Sequence, residues 1–406
     1  MCWLHKNVML YFSYPTFQHH TPEEVHMKRF LTLLLTLLAA CILCSCQSSA
    51  DDSGNHTSAE DNVSQTQEDS GESMHDPFLA LITDAAGIDD HSFNQSCWEA
   101  VADFAERNEI KYNYYRPAEA DTASRIESIK QAITDGVTIC VCPGVLFEEA
   151  IHTVQYEFPD IQFLLLDGEP RDADYNYNTA PNVHCILYKE EEAGYMAGYA
   201  AVMDGMTELG FIGGMALDAV IRYGYGFVQG ADAAAEALDT GITIQYWYAD
   251  TFSADDAVYQ IARDWYTAGT EVIFACGGSL GTSVMKAAQE LDTFVIGVDR
   301  DQHTLSESVI TSASKQLYTT CTEALEQLRQ NKWKWPESSA GKTAVLGAAE
   351  NAVALPTSDA AWRFHSFTTE DYQALLAAIA SGEMIVSDDR SQIPSVGTQT
   401  TVNYLS

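Results

Sequence analysis

Between Asp84 and Asn94 the chain gathers a lone acid, an acid pair (Asp89, Asp90), an aromatic ring (Phe93) and a side-chain amide (Asn94). A carboxylate only accepts hydrogen bonds, whereas an amide both donates and accepts. An aromatic ring adds a flat apolar face. Together these are parts for gripping a small, flat, polar ligand. Asp89 and Asp90 are expected to cap the helix that follows, as acids before a helix commonly do.

The local sequence, LITDAAGIDDHSFNQSCWEA, shows how such parts are presented. An apolar run, Phe78 to Ile82, reads as a strand; a glycine turn and a helix follow. Open α/β sheets bind ligands at the carboxyl ends of their strands. Other strand ends carry matching chemistry. The run 163–166 ends in Asp167-Gly168, and 293–298 ends in Asp299 within GVDRDQ. The run 271–275 ends FACGGS, with Phe274 and Gly277, and 308–313 leads into Ser314-Lys315.

Ten strands are expected, at 78–83, 110–115, 137–142, 161–166, 183–188, 209–213, 242–248, 271–275, 293–298 and 308–313. Amphipathic helices alternate with them, as with Ala100, Val101, Phe104 and Ala105 on one face. The alternation predicts an α/β protein with doubly wound parallel sheets. So many strands in 406 residues predict two lobes with a cleft between them. The boundaries are set at 77–183 plus 315–338 for lobe 1 and 184–314 plus 339–406 for lobe 2. The segment EEEAGYMAGYAA reads as a structural helix, its acids at the positive dipole end and its small residues packed on a sheet.

Charge excludes several functions. The net charge is -37, from 58 acids and 21 bases. Such a surface repels nucleic acid and disfavours nucleotides. No G-x-G-x-x-G or Walker lysine follows the first strand, and no histidine pair has metal spacing. No cofactor and no metal are expected.

The amino terminus reads as a processing signal. Lys28 and Arg29 precede an apolar run, Phe30 to Leu43, too short to span a bilayer. The run ends Leu43-Cys44-Ser45-Cys46, which resembles a bacterial lipobox with Cys46 as the acylated (palmitate-bearing) residue. Residues 1–26 are then an over-called start, 27–45 the signal peptide and 46–76 an acidic disordered tether with a reach of roughly 30 Å. A plain secretory signal is the alternative. Lipidation predicts anchoring on the extracytoplasmic face of the cell membrane. Six cysteines remain in the body: Cys97, Cys140, Cys142, Cys185, Cys276 and Cys321. Buried free thiols are the main reading, with disulfides or a metal as alternatives.

The blocks DAAGIDDHSFNQSCWEA, FIGGMALDAVIRYGYGFVQGA, VIFACGGSLG and VIGVDRDQ, followed by VITSASK, occur in that order. They resemble the basic membrane protein family of substrate-binding lipoproteins, purine nucleoside receptor type. The resemblance implies a type I periplasmic-binding fold, two α/β lobes with three crossovers that close on a ligand. It implies that Phe93 stacks on a purine, that Asn94 reads the base edge and that Asp84 accepts from the base or supports Asn94. Asp167 and Asp299 would bind ribose hydroxyls, and Lys315 would donate to the sugar. Phe274 and Gly277 would line the cleft. No motif fixes the second stacking ring; Trp247, Tyr266 and Phe274 are candidates, and Arg222 and Tyr223 are possible lining residues.

The implied partners are guanosine, inosine or adenosine and the permease and ATPase subunits of an ABC transporter. The protein is expected to be a monomer and not an enzyme. Two other functions compete: an exported nucleoside hydrolase using the clustered carboxylates, and a sensor or adhesive lipoprotein that keeps the fold without transport.

Overall fold

The structure is a computed structural model that describes residues 76–84 and 87–405. All of them belong to one compact unit, Gly71–Ser406. Cys46, the signal peptide and the tether lie outside the described residues.

Among the described residues the strands are β1 (Phe78–Ile82), β2 (Lys111–Tyr115), β3 (Ile139–Pro143), β4 (Gln162–Leu166), β5 (Val183–Tyr188), β6 (Glu208–Gly213), β7 (Ile242–Tyr248), β8 (Val272–Cys276), β9 (Phe294–Asp299), β10 (Val309–Lys315), β11 (Lys342–Leu346), β12 (Val353–Ala354) and β13 (Thr400–Tyr404). The helices are α1 (Phe93–Arg107), α2 (Thr122–Thr134), α3 (Glu148–Val154), α4 (Glu190–Met203), α5 (Asp218–Leu238), α6 (Asp256–Ala268), α7 (Leu280–Leu291), α8 (Leu317–Gln330) and α9 (Thr369–Ala380).

The strands form two sheets, ordered β11-β5-β4-β3-β1-β2 and β12-β10-β9-β8-β6-β7-β13. Pairing is parallel throughout, apart from β12 against β10. The runs FLALI, ICVCP, QFLLL and VIFAC are buried at every residue, as strands covered on both faces must be. The edge strand KYNYY is largely exposed. This is the type I solute-binding architecture, and the ten expected strands are all present.

The lobe boundaries need correction. Residues 184–188 lie in β5, which pairs with β4 in the first sheet, and β11 pairs with β5 in that sheet too. By sheet membership the first lobe is 76–188 plus 317–346, and the second is 190–315 plus 348–405. The reason is physical: VHCILY is a buried run of the same kind as its neighbour β4. The chain therefore crosses between lobes after β5, after β10 and between β11 and β12.

These crossings touch one another. Lys189 donates its N–H to Leu346 O at 2.9 Å, and Gln316 to Ala352 O at 2.8 Å. Glu192 accepts from Ala348 N at 2.7 Å and pairs with Lys189 Nζ at 3.2 Å.

The glycines of α4 pack on a helix, while the same helix also lies against strands β10 and β12 of the second sheet. A Cβ on Gly194 or Gly198 would meet Tyr223 O at 2.1 Å or Phe227 O at 2.2 Å. Conversely, a Cβ on Gly226 or Gly230 would meet Glu191 O at 2.1 Å or Tyr195 O at 2.0 Å. Helices α4 and α5 thus lie backbone against backbone, which brings Glu190 to Arg222.

The six body cysteines are free and buried. Cys140 and Cys142 share one face of the first sheet and one core cluster. Burial pushes the Cys140 thiol up to about 12, so it stays protonated near neutral pH.

Candidate functional site

The cleft lies where the strand ends of the two sheets face each other, with about 740 Å³ of space partly open to solvent.

One end is built by the start of α1. Asp90 accepts backbone N–H groups from Ser92 at 2.9 Å, Asn94 at 3.0 Å and Gln95 at 3.0 Å. It is the expected capping acid, and it also lines the cleft. Asn94, 2 % exposed, donates from Nδ2 to Asp84 Oδ1 at 3.1 Å and to Asp90 Oδ2 at 3.0 Å. Both hydrogens of the amide are used inside the protein. Its Oδ1 faces Asp84 N at a long 3.5 Å.

The other end is built by Asp167 and Asp299, which hold left-handed backbone with φ of 57° and 65°. Aspartate is one of the few residues that tolerates this region, and such strain concentrates where a side chain must be aimed. Lys315 Nζ donates to Asp167 and, at 3.1 Å, to Glu190 Oε1, and stands 3.7 Å from Asp299. Glu190 also accepts from Arg222 Nε at 2.5 Å. Three buried carboxylates therefore share two cations.

The protonation balance follows. Burial pushes the Asp167 carboxyl up to about 7, against the pull of Lys315 and with help from Glu190. Burial also raises Asp299, opposed by Lys315 and the Ser92 hydroxyl. Glu190 is held below the usual range: burial pushes it up, but Arg222 and Lys315 outweigh that. Burial pulls Lys315 down, yet its carboxylates raise it overall, so it stays charged. Asp167 Oδ1 and the Tyr223 hydroxyl are buried without a hydrogen-bond partner. Buried polar atoms are normally paired, so two orphans at one cleft mark where a polar ligand fits.

Aromatic walls complete the cleft. Phe93 comes from the first lobe, with Lys315 Nζ 4.8 Å from its ring centre. Tyr223 and Phe252 come from the second. Of the expected residues, the cleft brings together Asp84, Phe93, Asn94, Asp167, Gly277, Asp299 and Lys315. Phe274 is corrected: it is fully buried in the core of the second lobe, edge-on to Tyr223 at 5.7 Å. Trp247 packs on the outer core of that lobe, and Tyr266 donates to Phe294 O at 2.7 Å. Arg222 stands behind the cleft on Glu190, while Tyr223 lines it.

Sequence reasoning missed Phe252 and Glu190. Phe252 lies just past the end of β7, so extending the strand-end search by four residues would have found it. Glu190 pairs with a lysine 125 residues away, a contact that local spacing cannot signal.

The lobes meet across the cleft mouth. Ser92 Oγ donates to Asp299 Oδ2 at 2.5 Å, and Gln302 Nε2 to His91 O at 2.9 Å. Arg300 pairs with Glu99 at 3.1 Å. Among the described residues no group of His, Cys, Asp and Glu is arranged to hold a metal, and no helix is long and apolar enough to cross a membrane.

Comparison with known proteins agrees with this geometry. A family model described as ABC transporter substrate-binding protein PnrA-like matches residues 79–389. A CD4+ T-cell-stimulating antigen of Listeria monocytogenes is 32% identical over 291 residues, covering 68% of this chain and 74% of that protein. The ABC transporter nucleoside-binding protein BmpA of Lactococcus lactis is 29% identical over 288 residues, covering 65% of this chain and 78% of that protein. Among solved structures, an ABC transporter solute-binding protein from Aeropyrum pernix K1 superposes with a TM-score of 0.65. It is 18% identical, covers 78% of this chain and 95% of that chain, and so speaks to the fold alone.

Proposed function

The chain belongs to the PnrA-like family of ABC transporter substrate-binding proteins, which bind rather than transform their ligands, and from that premise we propose that it captures purine nucleosides outside the cytoplasm for a permease. The observation that carries the reading is what the cleft gathers. One set is a ring and an amide held between carboxylates, Phe93 beside Asn94, Asp84 and Asp90. The other is Asp167 and Asp299 around Lys315, whose Nζ stands 4.8 Å from the Phe93 ring centre. A purine suits the first set through offset stacking. A ribose suits the second, because a carboxylate accepts from two neighbouring hydroxyls and an ammonium donates to a third group. Phe252 is the candidate for the second stacking ring. Nucleotides fit poorly, since a phosphate would meet carboxylates on both lobes. The name of the lactococcal relative supports the same reading.

Capture proceeds by hinge closure of the two lobes. Acylation at Cys46 would hold the protein on the extracytoplasmic face of the membrane, with 46–76 as its tether. Isothermal titration with guanosine, inosine and adenosine tests the ligand class. Binding of at least one at micromolar concentration or below is expected. Absence of any heat at ~10 μM protein and ligand excess ends the nucleoside assignment. Intact nucleoside is expected after prolonged incubation, and released free base would contradict a binding role.

A further inference from the structure

The hydrogen-bond polarity of the cleft's base end is set before any ligand arrives. Asn94 Nδ2 has two hydrogens, and their acceptors are two carboxylate oxygens, Asp84 Oδ1 at 3.1 Å and Asp90 Oδ2 at 3.0 Å. A carboxylate cannot donate, so the reversed amide would set its oxygen against two acceptors; the orientation is dictated. Asp90 in turn cannot swing away, because its two oxygens hold the backbone N–H groups of Ser92, Asn94 and Gln95. What Asn94 has left to offer is an acceptor, its Oδ1, which takes only a long 3.5 Å contact from Asp84 N and keeps a second lone pair. The neighbouring cleft groups Asp84 and Asp90 are acceptors as well.

We infer that this end of the cleft selects by hydrogen-bond polarity: it favours a purine whose edge donates, a 6-oxopurine with N–H at ring position 1, over a 6-aminopurine, and Asp90 is the positioning residue that imposes this through Asn94. The inference rests on the nucleoside reading above and adds the base class to it. Guanine brings a ring N–H and an amino group to the same edge, and hypoxanthine brings the ring N–H alone. Adenine keeps an amino donor but presents a ring lone pair at position 1, where it would face acceptors. A desolvated acceptor left opposite another acceptor costs more than a missing contact. Sites built on buried hydrogen bonds discriminate strongly for this reason.

The test is titration calorimetry of the whole protein with guanosine, inosine and adenosine, repeated on Asp90→Asn. Asparagine caps helices as well as aspartate, so the variant keeps an oxygen for the first turn of α1. Its amino group, placed where Oδ2 stood, would leave Asp84 alone to hold the Asn94 amide and so loosen its orientation. In the wild type, guanosine is expected to bind at least 10-fold tighter than adenosine, with inosine between. In Asp90→Asn that ratio is expected to shrink toward one; a merely structural role for Asp90 would weaken both nucleosides alike and leave the ratio unchanged. Adenosine binding as tightly as guanosine to the wild type overturns the polarity inference while leaving the nucleoside reading intact. An unchanged ratio in Asp90→Asn overturns the role of Asp90. No binding by any nucleoside overturns the inference together with the reading it rests on. Should Asp90→Asn fail to fold, the three wild-type affinities still decide the base preference.

Discussion

The two lobes are built on the same strand order, yet they bring different materials to the cleft. Leaving aside β13, which extends the second sheet beyond β7, the order β2-β1-β3-β4-β5-β11 corresponds to β7-β6-β8-β9-β10-β12. Strands β4 and β9 each lead into a left-handed aspartate, Asp167 and Asp299. Elsewhere the lobes diverge. Strand β1 leads to Asp84 and the buried amide of Asn94, whereas β6 ends in Gly213 and continues to Gly214. A Cβ on Gly214 would lie 2.4 Å from the Phe252 ring. The first lobe presents mostly hydrogen-bond acceptors; the second presents rings and the bare backbone that leaves room for them. Acceptors and apolar cover are thus divided between two copies of one scaffold, and Lys315, paired with Asp167 across the cleft, joins them.

The largest effect should come from removing that joint. Lys315→Met leaves Asp167, Glu190 and Asp299 buried with only Arg222 on Glu190, and should cost ~3–5 kcal/mol of stability, measured by urea denaturation. A loss under ~1 kcal/mol would mean that Asp167 simply takes up a proton, and that the cation does not tie the lobes together. The pH dependence tests this balance directly. The folded Asp167 carboxyl is raised to about 7 from an ordinary 3.8, so it binds more protons folded than unfolded. Its contribution is full below the unfolded value and is lost as pH rises through the folded one. Wild-type stability relative to Asp167→Asn should therefore fall between pH ~4 and ~7; a flat difference would rule out the raised carboxyl.

A smaller effect should separate the lobes by material. Gly214→Ala pushes on Phe252, an overpacking of ~1–3 kcal/mol, and should weaken nucleoside binding by ~10-fold in calorimetry. If affinity is unchanged, Phe252 is not a working wall of the cleft. The smallest effect belongs to the rim. Arg300 and Glu99 are partly exposed, so Arg300→Ala should cost no more than ~1 kcal/mol, and that cost should vanish in high salt.

Much of this was legible in the sequence, for identifiable reasons. Parallel strands buried on both faces read as apolar runs, so all ten expected strands appear. Strand β11, KTAVL, is only partly buried at the sheet edge, and β12 and β13 are short or exposed, so hydrophobicity alone passed over them. The boundary near 184 failed because sheet membership depends on long-range pairing, which VHCILY does not advertise. Seven of the eight expected cleft residues line it, because carboxyl strand ends are positions that topology fixes. Phe274 failed on depth: it lies two residues before Cys276, which shares its face and does line the cleft, and it packs in the core beside Phe211 and Phe227. The direction in which Asn94 points its amide was invisible too, because it depends on two acids that hydrogen-bond only once the turn is folded.

The three crossings near Lys189, Gln316 and Gly347 are cross-braced by backbone hydrogen bonds and by Glu192. A joint made of one strand could swivel, tilt and slide. Three braced strands resist swivel and slide, so the hinge closure proposed above would reduce chiefly to one rotation. Any pair of probes on opposite rims should then report the same angle, whichever residues carry them.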